Sequence, residues 1–263
     1  MPFVVVAVRP SMGGRTGGTA RFAGAPSVRQ LLYWPPTRLA SRGQAIHQWS
    51  THMNDSQTTI PDNPDSFTAA IKAAYPRMAA LLEAHPEINN GNFRSQATAI
   101  AMENGSLKSK RKKFFELADV FNKATGKFAV CKKGCAHCCY MPTMIYAHEA
   151  DILGQATGIK PAPVPYRDRS VVLADAVRQF GPPCPFLGKD NSCTVYDHRP
   201  LICRLHHSLN NNPDDCVVSE SGTKAPIAKI DADVIEAPYH ALVLRHASRE
   251  PWGTIQMFFP NRL

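Results

Sequence analysis

Eight cysteines, confined to one stretch from Cys131 to Cys216, constrain this chain more than any other feature of its sequence. Four of them stand within nine residues, at positions 131, 135, 138 and 139, and the others follow at positions 184, 193, 203 and 216. Four thiols so close together cannot readily be four independent core residues. Cys135 and Cys138 are separated by two residues, a spacing that aims two sulfur atoms from one turn at one point. The pattern therefore indicates a thiolate site.

Three kinds of chemistry compete for these thiols. Disulfide bonds are disfavoured because no convincing signal peptide precedes them, and a reducing cytosol keeps thiols reduced. Neighbouring Cys138 and Cys139 would also bridge only through a strained ring. A dithiol redox site would leave six cysteines unexplained, and the strand and helix of a thioredoxin-like motif do not flank the Cys135–Cys138 pair. Metal coordination remains, and thiolate ligands favour zinc or an iron–sulfur cluster over magnesium, calcium or manganese.

The later cysteines lie in two short local motifs. The segment 184–196 is predicted to form a hairpin with its turn at 188–192. Pro200 is predicted to start a helical turn that carries Cys203 toward the site. Both motifs present cysteines from loop-rich backbone, so we expect a metal centre built between elements rather than within one helix.

These blocks together resemble a known family. They are Cys131 to Cys139, Cys-Pro-Phe-Leu at 184–187, Cys-Thr-Val-Tyr at 193–196 and Arg-Pro-Leu-Ile-Cys-Arg at 199–204. Over about residues 125–210 the chain resembles the bacterial YkgJ-like, or CxxCxxCC, cysteine-cluster proteins, which are described as zinc- or iron-chelating domains. One spacing departs from the family pattern, because three residues rather than two separate Cys131 from Cys135.

The resemblance implies a domain that binds zinc or iron, including the alternative of a 4Fe-4S cluster. The candidate metal ligands are Cys131, Cys135, Cys138, Cys139, Cys184, Cys193 and Cys203. One tetrahedral zinc or one four-iron cluster takes four thiolates, so eight cysteines allow two closed sites or one site with spare thiols. Adjacent Cys138 and Cys139 point in different directions on most backbones, so we expect one to be a ligand and the other to serve a second site or a core. Cys216 lies outside the family blocks and is the expected spare thiol.

Two classes of function follow. In the first, the metal is structural or is itself the cargo of a metal-handling protein. In the second, an iron–sulfur cluster supports redox or methyl-transfer chemistry, because a flagellin lysine methylase branch of the family is similar in its cysteine block. No dinucleotide fingerprint, phosphate-binding loop or nucleophile motif is visible, so whether the chain is an enzyme stays open. The expected partner is a metal ion, and a protein partner stays open.

Charge is concentrated in an N-terminal leader. Residues 1–52 contain no Asp or Glu and carry six arginines, two-thirds of the net charge of +9. A nucleic-acid partner is therefore disfavoured, because the excess charge does not lie on a folded face. The leader resembles an organelle transit peptide in composition, but the abrupt change at Met53 favours an over-extended start of a cytoplasmic protein. No apolar run approaches the length that crosses a membrane.

The rest of the chain is expected to be mainly α: a small helical domain around a loop-rich, cysteine-bound metal centre, with at most a short β-hairpin. We divide it into a leader (1–62), N-terminal helices (63–125), the cysteine-cluster domain (126–216) and a C-terminal helix and tail (217–263). Helices are predicted at about 67–82, with a kink or break at Pro76, and at 95–103, 106–124, 147–155, 167–180 and 230–246. The segment 252–259 is predicted to be a strand or an extended tail. Five basic residues within 108–113 are predicted to be the solvated first turns of a helix.

Several polar residues near the cysteines receive predicted roles. Four histidines are expected to be structural or surface residues rather than ligands: His137, His198, His206 and His207. Glu149 is expected to cap a helix or to hydrogen-bond the site. Arg199 and Arg204 are expected to offset the negative charge of a metal held by four thiolates.

Overall fold

A computed structural model describes residues 5–7, 64–88, 91–219, 222–223 and 227–260. Within these residues the protein is mainly helical, as predicted, with three short two-stranded sheets. The helices are α1 (Pro64–Ala84), α2 (Asn92–Met102), α3 (Leu107–Gly126), α4 (Ala147–Thr157), α5 (Arg169–Ala176), α6 (Leu201–Leu205), α7 (Asp233–His246) and α8 (Ile255–Phe258). The strands are β1 (Val5–Ala7), β2 (Met144–Tyr146), β3 (Val218–Ser219), β4 (Gly222–Thr223), β5 (Ile227–Lys229) and β6 (Trp252–Thr254). No helix in these ranges is long and apolar enough to cross a membrane.

Helix α1 runs through Pro76 without a break, so of the predicted kink or break at this proline the break is wrong. A proline inside a helix removes one backbone hydrogen bond. Ile71 lies before Pro76 and Met78 and Leu81 lie after it, and all three side chains are buried in the same core. Burial of the apolar face on both sides of the proline holds the two halves in one helix.

Helix α3 begins where the sequence predicts. The Ser106 hydroxyl accepts a hydrogen bond from the backbone N–H of Ser109 at 3.2 Å and so caps the N-terminus of the helix. Phe114, Leu117 and Phe121 are buried along one face. Val120 is 59% exposed because it lies off the face that these three residues form.

The basic run at the start of α3 is only partly solvated. Lys110 is buried, and its ammonium donates to the backbone carbonyl of Ala101 near the end of α2 at 3.0 Å. The Lys113 ammonium contacts the Glu103 carboxylate at 2.7 Å. The prediction of solvated turns is therefore wrong for Lys110, because this lysine bonds an α2 carbonyl and helps to fasten α3 to the end of α2.

The largest core lies between α2, α3 and α7. The rings of Phe93 and Phe121 meet edge to face with centroids 5.3 Å apart, and those of Phe114 and Tyr239 are 5.4 Å apart. A smaller core lies beneath the cysteine loops, where Phe186 packs on Phe259 with ring centroids 4.8 Å apart. This second core supports the hairpin predicted from the sequence.

The strands are short and join distant parts of the chain. β2 pairs antiparallel with β6, so the predicted closing strand is present, but its chain turns into α8 after Thr254. β3 and β4 form an antiparallel pair. β1 pairs in parallel with β5. Apart from β1, the predicted leader 1–62 lies outside the described residues.

Candidate metal centre

The first cysteine block is folded by tight local turns. Gly134 has φ of 86°, a left-handed conformation that glycine adopts readily, and the backbone N–H of Cys135 bonds the carbonyl of Lys132 at 2.9 Å. Cys138 and Cys139 lie in the 3-10 turn His137–Tyr140, where the Cys139 N–H bonds the Ala136 carbonyl at 2.8 Å. All eight cysteines are present as thiols.

The predicted hairpin is present as a tight turn. The backbone N–H of Gly188 donates to the carbonyl of Ser192 at 2.8 Å, and Leu187 and Cys193 form an antiparallel bridge. The backbone N–H of Cys184 bonds the carbonyl of Cys139 at 2.6 Å. This bond joins the hairpin to the first cysteine block, so two segments far apart in sequence bring their cysteines to one place.

Helix α6, which carries Cys203, is fixed by a buried arginine. One terminal nitrogen of Arg204 contacts both oxygens of Asp119 on α3, at 2.5 and 2.6 Å, and the other donates to the Asp197 carbonyl at 2.6 Å. The predicted role of Arg204 in offsetting thiolate charge is therefore wrong, because its own charge is already paired with Asp119. Arg204 anchors the cysteine-bearing helix instead.

Glu149 fixes the other end of α6. Its carboxylate is buried and accepts two backbone N–H groups, from Tyr146 at 3.0 Å and from Leu201 at 2.9 Å. Burial raises the pKa of this carboxyl, opposed by the charge of His148 and by the two hydrogen bonds. The predicted capping role is confirmed, and the same side chain ties the start of α4 to the start of α6.

Cys203 lies among the later cysteines. Burial raises its pKa well above the ordinary value, and the charges of Cys138, Cys184 and Cys193 add to this effect. Burial likewise raises the pKa of Cys193, to which Cys138 also contributes. Cys203 and Cys193 therefore lie in the same electrostatic environment as Cys138 and Cys184.

Cys216, the predicted spare thiol, lies near the first block. The backbone N–H of Ser208 contacts the Cys131 sulfur at 3.4 Å, and the Ser208 hydroxyl bonds Cys216. Burial raises the pKa of Cys216 to about 11, with further contributions from Cys131, Cys135 and Cys138. The sequence alone could not place it, because folding through α6 and the 3-10 turn Pro213–Cys216 returns this residue to the block.

Cys138 interacts electrostatically both with the first block and with the later cysteines. Its hydrogen bond with Cys139 is the main cause that raises its pKa well above the ordinary value, followed by burial and the charge of Cys139. It also raises the pKa of thiols in both groups, Cys203 and Cys216 among them. Many protein atoms surround Cys138, yet its side chain, like that of Cys131, still reaches solvent.

Arg199 is positioned as the sequence predicts. Its guanidinium stacks over the Tyr196 ring at 3.6 Å, and its Nε donates to the Tyr196 carbonyl at 2.9 Å. The positive charge lowers the pKa of Cys138, Cys193 and Cys203, against the larger effects that raise them. Arg199 therefore favours the thiolate forms that metal binding requires.

The histidines near the cysteines have mostly structural surroundings. His207 is buried, with its ring bonded to the Asn122 side chain at 2.6 Å and to the Thr125 hydroxyl at 3.2 Å. Burial lowers the pKa of His206 to about 3. His198 is exposed at the end of a 3-10 turn, and His137 is half-buried at the start of another. These surroundings agree with the predicted structural or surface roles.

The thiols fit a metal by their chemistry, but they are not arranged as a coordination sphere. Among the described side chains, no three of His, Cys, Asp or Glu stand in an arrangement that already holds a metal ion. Binding therefore requires the thiols to converge further. Eight thiols gathered from distant segments suit a cation with affinity for sulfur, because such a cation relieves the repulsion between thiolates.

The cysteine blocks and their shared location define a cysteine-cluster domain. Residues 130–217 match the CxxCxxCC family, described as "Putative zinc- or iron-chelating domain". The match extends past the predicted limit of about 210 and includes Cys216, in agreement with the position of this cysteine beside the first block. No curated protein and no solved structure shows significant similarity to the chain.

Proposed function

We propose that residues 130–217 bind zinc or iron through cysteine thiolates, in a structural or metal-handling role. One observation carries this proposal: backbone contacts join cysteine-bearing segments that are distant in sequence. The Cys184 N–H bonds the Cys139 carbonyl at 2.6 Å, and the Ser208 N–H contacts the Cys131 sulfur at 3.4 Å. Such an assembly is unfavourable as a set of bare thiolates, and a bound cation stabilises it. The family match over the same residues supports the same chemistry.

The contacts favour two groups of ligands. The first contains Cys131, Cys135 and Cys216, where Ser208 contacts two of the three sulfurs. The second contains Cys184, Cys193 and Cys203, of which the first two flank the hairpin turn. Cys138 and Cys139 lie between the groups, so each group completes a four-thiolate set by taking one of them. This division uses all eight cysteines and leaves no spare thiol.

Solvent access favours a metal-handling role over a purely structural one. Cys131 and Cys138 are exposed, five other cysteines are partly buried, and Cys216 is buried. A metal held by such residues can be reached by a competing ligand, whereas a structural zinc is normally enclosed by its four protein ligands.

Metal analysis of the full chain tests the proposal. The protein is purified without oxygen, and zinc, iron and acid-labile sulfide are measured per chain. We expect two zinc or two iron ions without sulfide. Iron with matching sulfide would instead assign an iron–sulfur cluster and direct work to redox and methyl-transfer assays. A folded sample that holds neither metal would overturn the proposal.

Paired cysteine variants test the division into groups. Cys216→Ser and Cys193→Ser should each lose one metal, because each removes a ligand from a different group. Cys131→Ser combined with Cys216→Ser should lose no more metal than Cys216→Ser alone. Cys193→Ser combined with Cys216→Ser should lose both metals. Equal losses in the two double variants would contradict two separate groups and indicate a single site.

A further inference from the structure

Two arginines outside the cysteine blocks stack on aromatic rings. Each arginine and its ring come from two segments that lie next to each other, 166–169 and 249–252. The Arg169 guanidinium lies over the Trp252 ring at 4.4 Å, and that of Arg249 lies over the Tyr166 ring at 5.2 Å. Each of the two segments therefore supplies one arginine and one aromatic ring, and each arginine stacks on the ring of the other segment. Helix α5 packs against β6 beside them. Both pairs therefore lie on one surface.

The two guanidinium groups keep donors available on that surface. Both arginines are exposed, and within the described residues neither has a carboxylate partner. One terminal nitrogen of Arg169 donates to the Tyr146 hydroxyl at 2.9 Å, which fixes this guanidinium against the body of the protein. Arginine stacked on a ring and held in place loses little conformational freedom when it binds a carboxylate.

The neighbouring charges leave this surface with unpaired positive groups. Arg167 is paired with Asp175 at 2.6 Å. Glu250 is held by His148 at 2.9 Å. Asp168, which lies between Arg167 and Arg169 in sequence, is an exposed carboxylate. The available charge is therefore that of Arg169 and Arg249, reduced by one neighbouring carboxylate.

Apolar groups stand beside these charges. Tyr166 is 44% exposed, and on α5 Val171 and Leu173 are 44% and 47% exposed. Leu173 follows Arg169 by four residues and so lies one turn along the same helix face. Helix α5 buries Val172 and Ala176 and leaves Val171 and Ala174 exposed.

We propose that this surface, defined as Tyr166, Arg169, Leu173, Arg249 and Trp252, binds an acidic peptide segment of a protein partner. The partner supplies Asp or Glu side chains to the two guanidinium groups and an apolar side chain to Tyr166 and Leu173. A peptide carboxylate fits because a guanidinium can donate two parallel hydrogen bonds to its oxygen atoms. The exposed apolar groups beside the arginines would gain nothing from a free anion.

Peptide selection on the full chain tests this inference. A display library of random peptides is selected on the immobilised protein and counter-selected on Arg169→Gln/Arg249→Gln. Recovered peptides are synthesised, and their binding is measured by fluorescence anisotropy. We expect sequences that combine Asp or Glu with Leu, Phe or Trp, and affinity about tenfold weaker for each arginine removed. Arg178→Gln removes an exposed charge nearby that is paired with Asp175, and should leave binding unchanged.

The remaining variants separate recognition from stability. Arg249→Gln alone keeps the Arg169–Tyr146 hydrogen bond, so a loss of binding in this variant does not come from a weakened fold. Replacement of both arginines by lysine should bind at an intermediate level, because the charge stays but the flat fork is lost. Peptides without acidic residues, or equal binding to the double glutamine variant, would overturn the inference. Binding of single-stranded DNA, of phosphatidylserine vesicles or of a second copy, without peptide binding, would overturn it too.

Discussion

His240 should make the folded protein sensitive to acid. Its ring is largely enclosed between Tyr146, whose hydroxyl lies 2.9 Å from Nδ1, and Tyr239 on its own helix. Burial, with a further contribution from the charge of Arg169, lowers the pKa of His240 to about 3 from the ordinary value of 6.5. The unfolded chain therefore takes up a proton on this ring at a higher pH than the folded protein does.

The size of the effect follows from the two pKa values. Above pH 6.5 the ring is neutral in both states, and His240 adds nothing to the pH dependence. As the pH falls from 6.5 toward 3, only the unfolded state gains the proton, so the free energy of unfolding decreases. Between pH 8 and pH 5 this one residue should remove about 2 kcal/mol of stability.

Urea unfolding of the wild type and of His240→Gln, each at pH 8 and pH 5, measures this effect. Other groups contribute equally to both proteins, so the wild type should lose about 2 kcal/mol more than the variant over that range. His246→Gln, at an exposed position on the same helix, is the control and should follow the wild type. Equal losses in the wild type and His240→Gln would refute the argument that this histidine is buried in its neutral form.

Three further predictions concern carboxylates that the fold places against other elements. Asp119→Asn should cost about 2 kcal/mol in chemical unfolding and weaken metal retention, because buried Arg204 loses its partner and α6 loosens. Glu149→Gln should lower the free energy of unfolding by about 2 kcal/mol, since an amide cannot accept both backbone N–H groups. The control, Glu83→Gln on the exposed surface of α1, should cause no measurable change. Glu236→Gln should stabilise the protein by about 1–3 kcal/mol at pH 8 and by much less at pH 4.5. Burial raises the pKa of Glu236 to about 7, so its ionised form, present at pH 8, is unfavourable in the folded state. A thermal or urea melt at both pH values checks the last, and an unchanged midpoint at pH 8 would contradict it.

Local sequence signals were sufficient where the physics is local. Ser106 caps α3 because a hydroxyl needs only the N–H groups of the next turn, and the hairpin around Gly188 closes over five residues. The cysteine blocks likewise revealed the chemistry, since thiol spacing is a property of the chain itself. The mainly helical character followed from apolar periodicity, which decides which face of a helix is buried.

Only the tertiary structure decided which residues meet across the chain. The sequence predicts that the charge of Arg204 offsets that of the thiolates, whereas folding pairs it with Asp119, 85 residues away. The chain beyond α6 places Cys216 near Cys131, and the end of α2 supplies the carbonyl that Lys110 bonds. Each outcome depends on the positions of two elements that are distant in sequence. The sequence therefore determined the thiols and the helices. Packing between distant elements determined which charges are paired, which hydrogen bonds form and which thiols lie near one another.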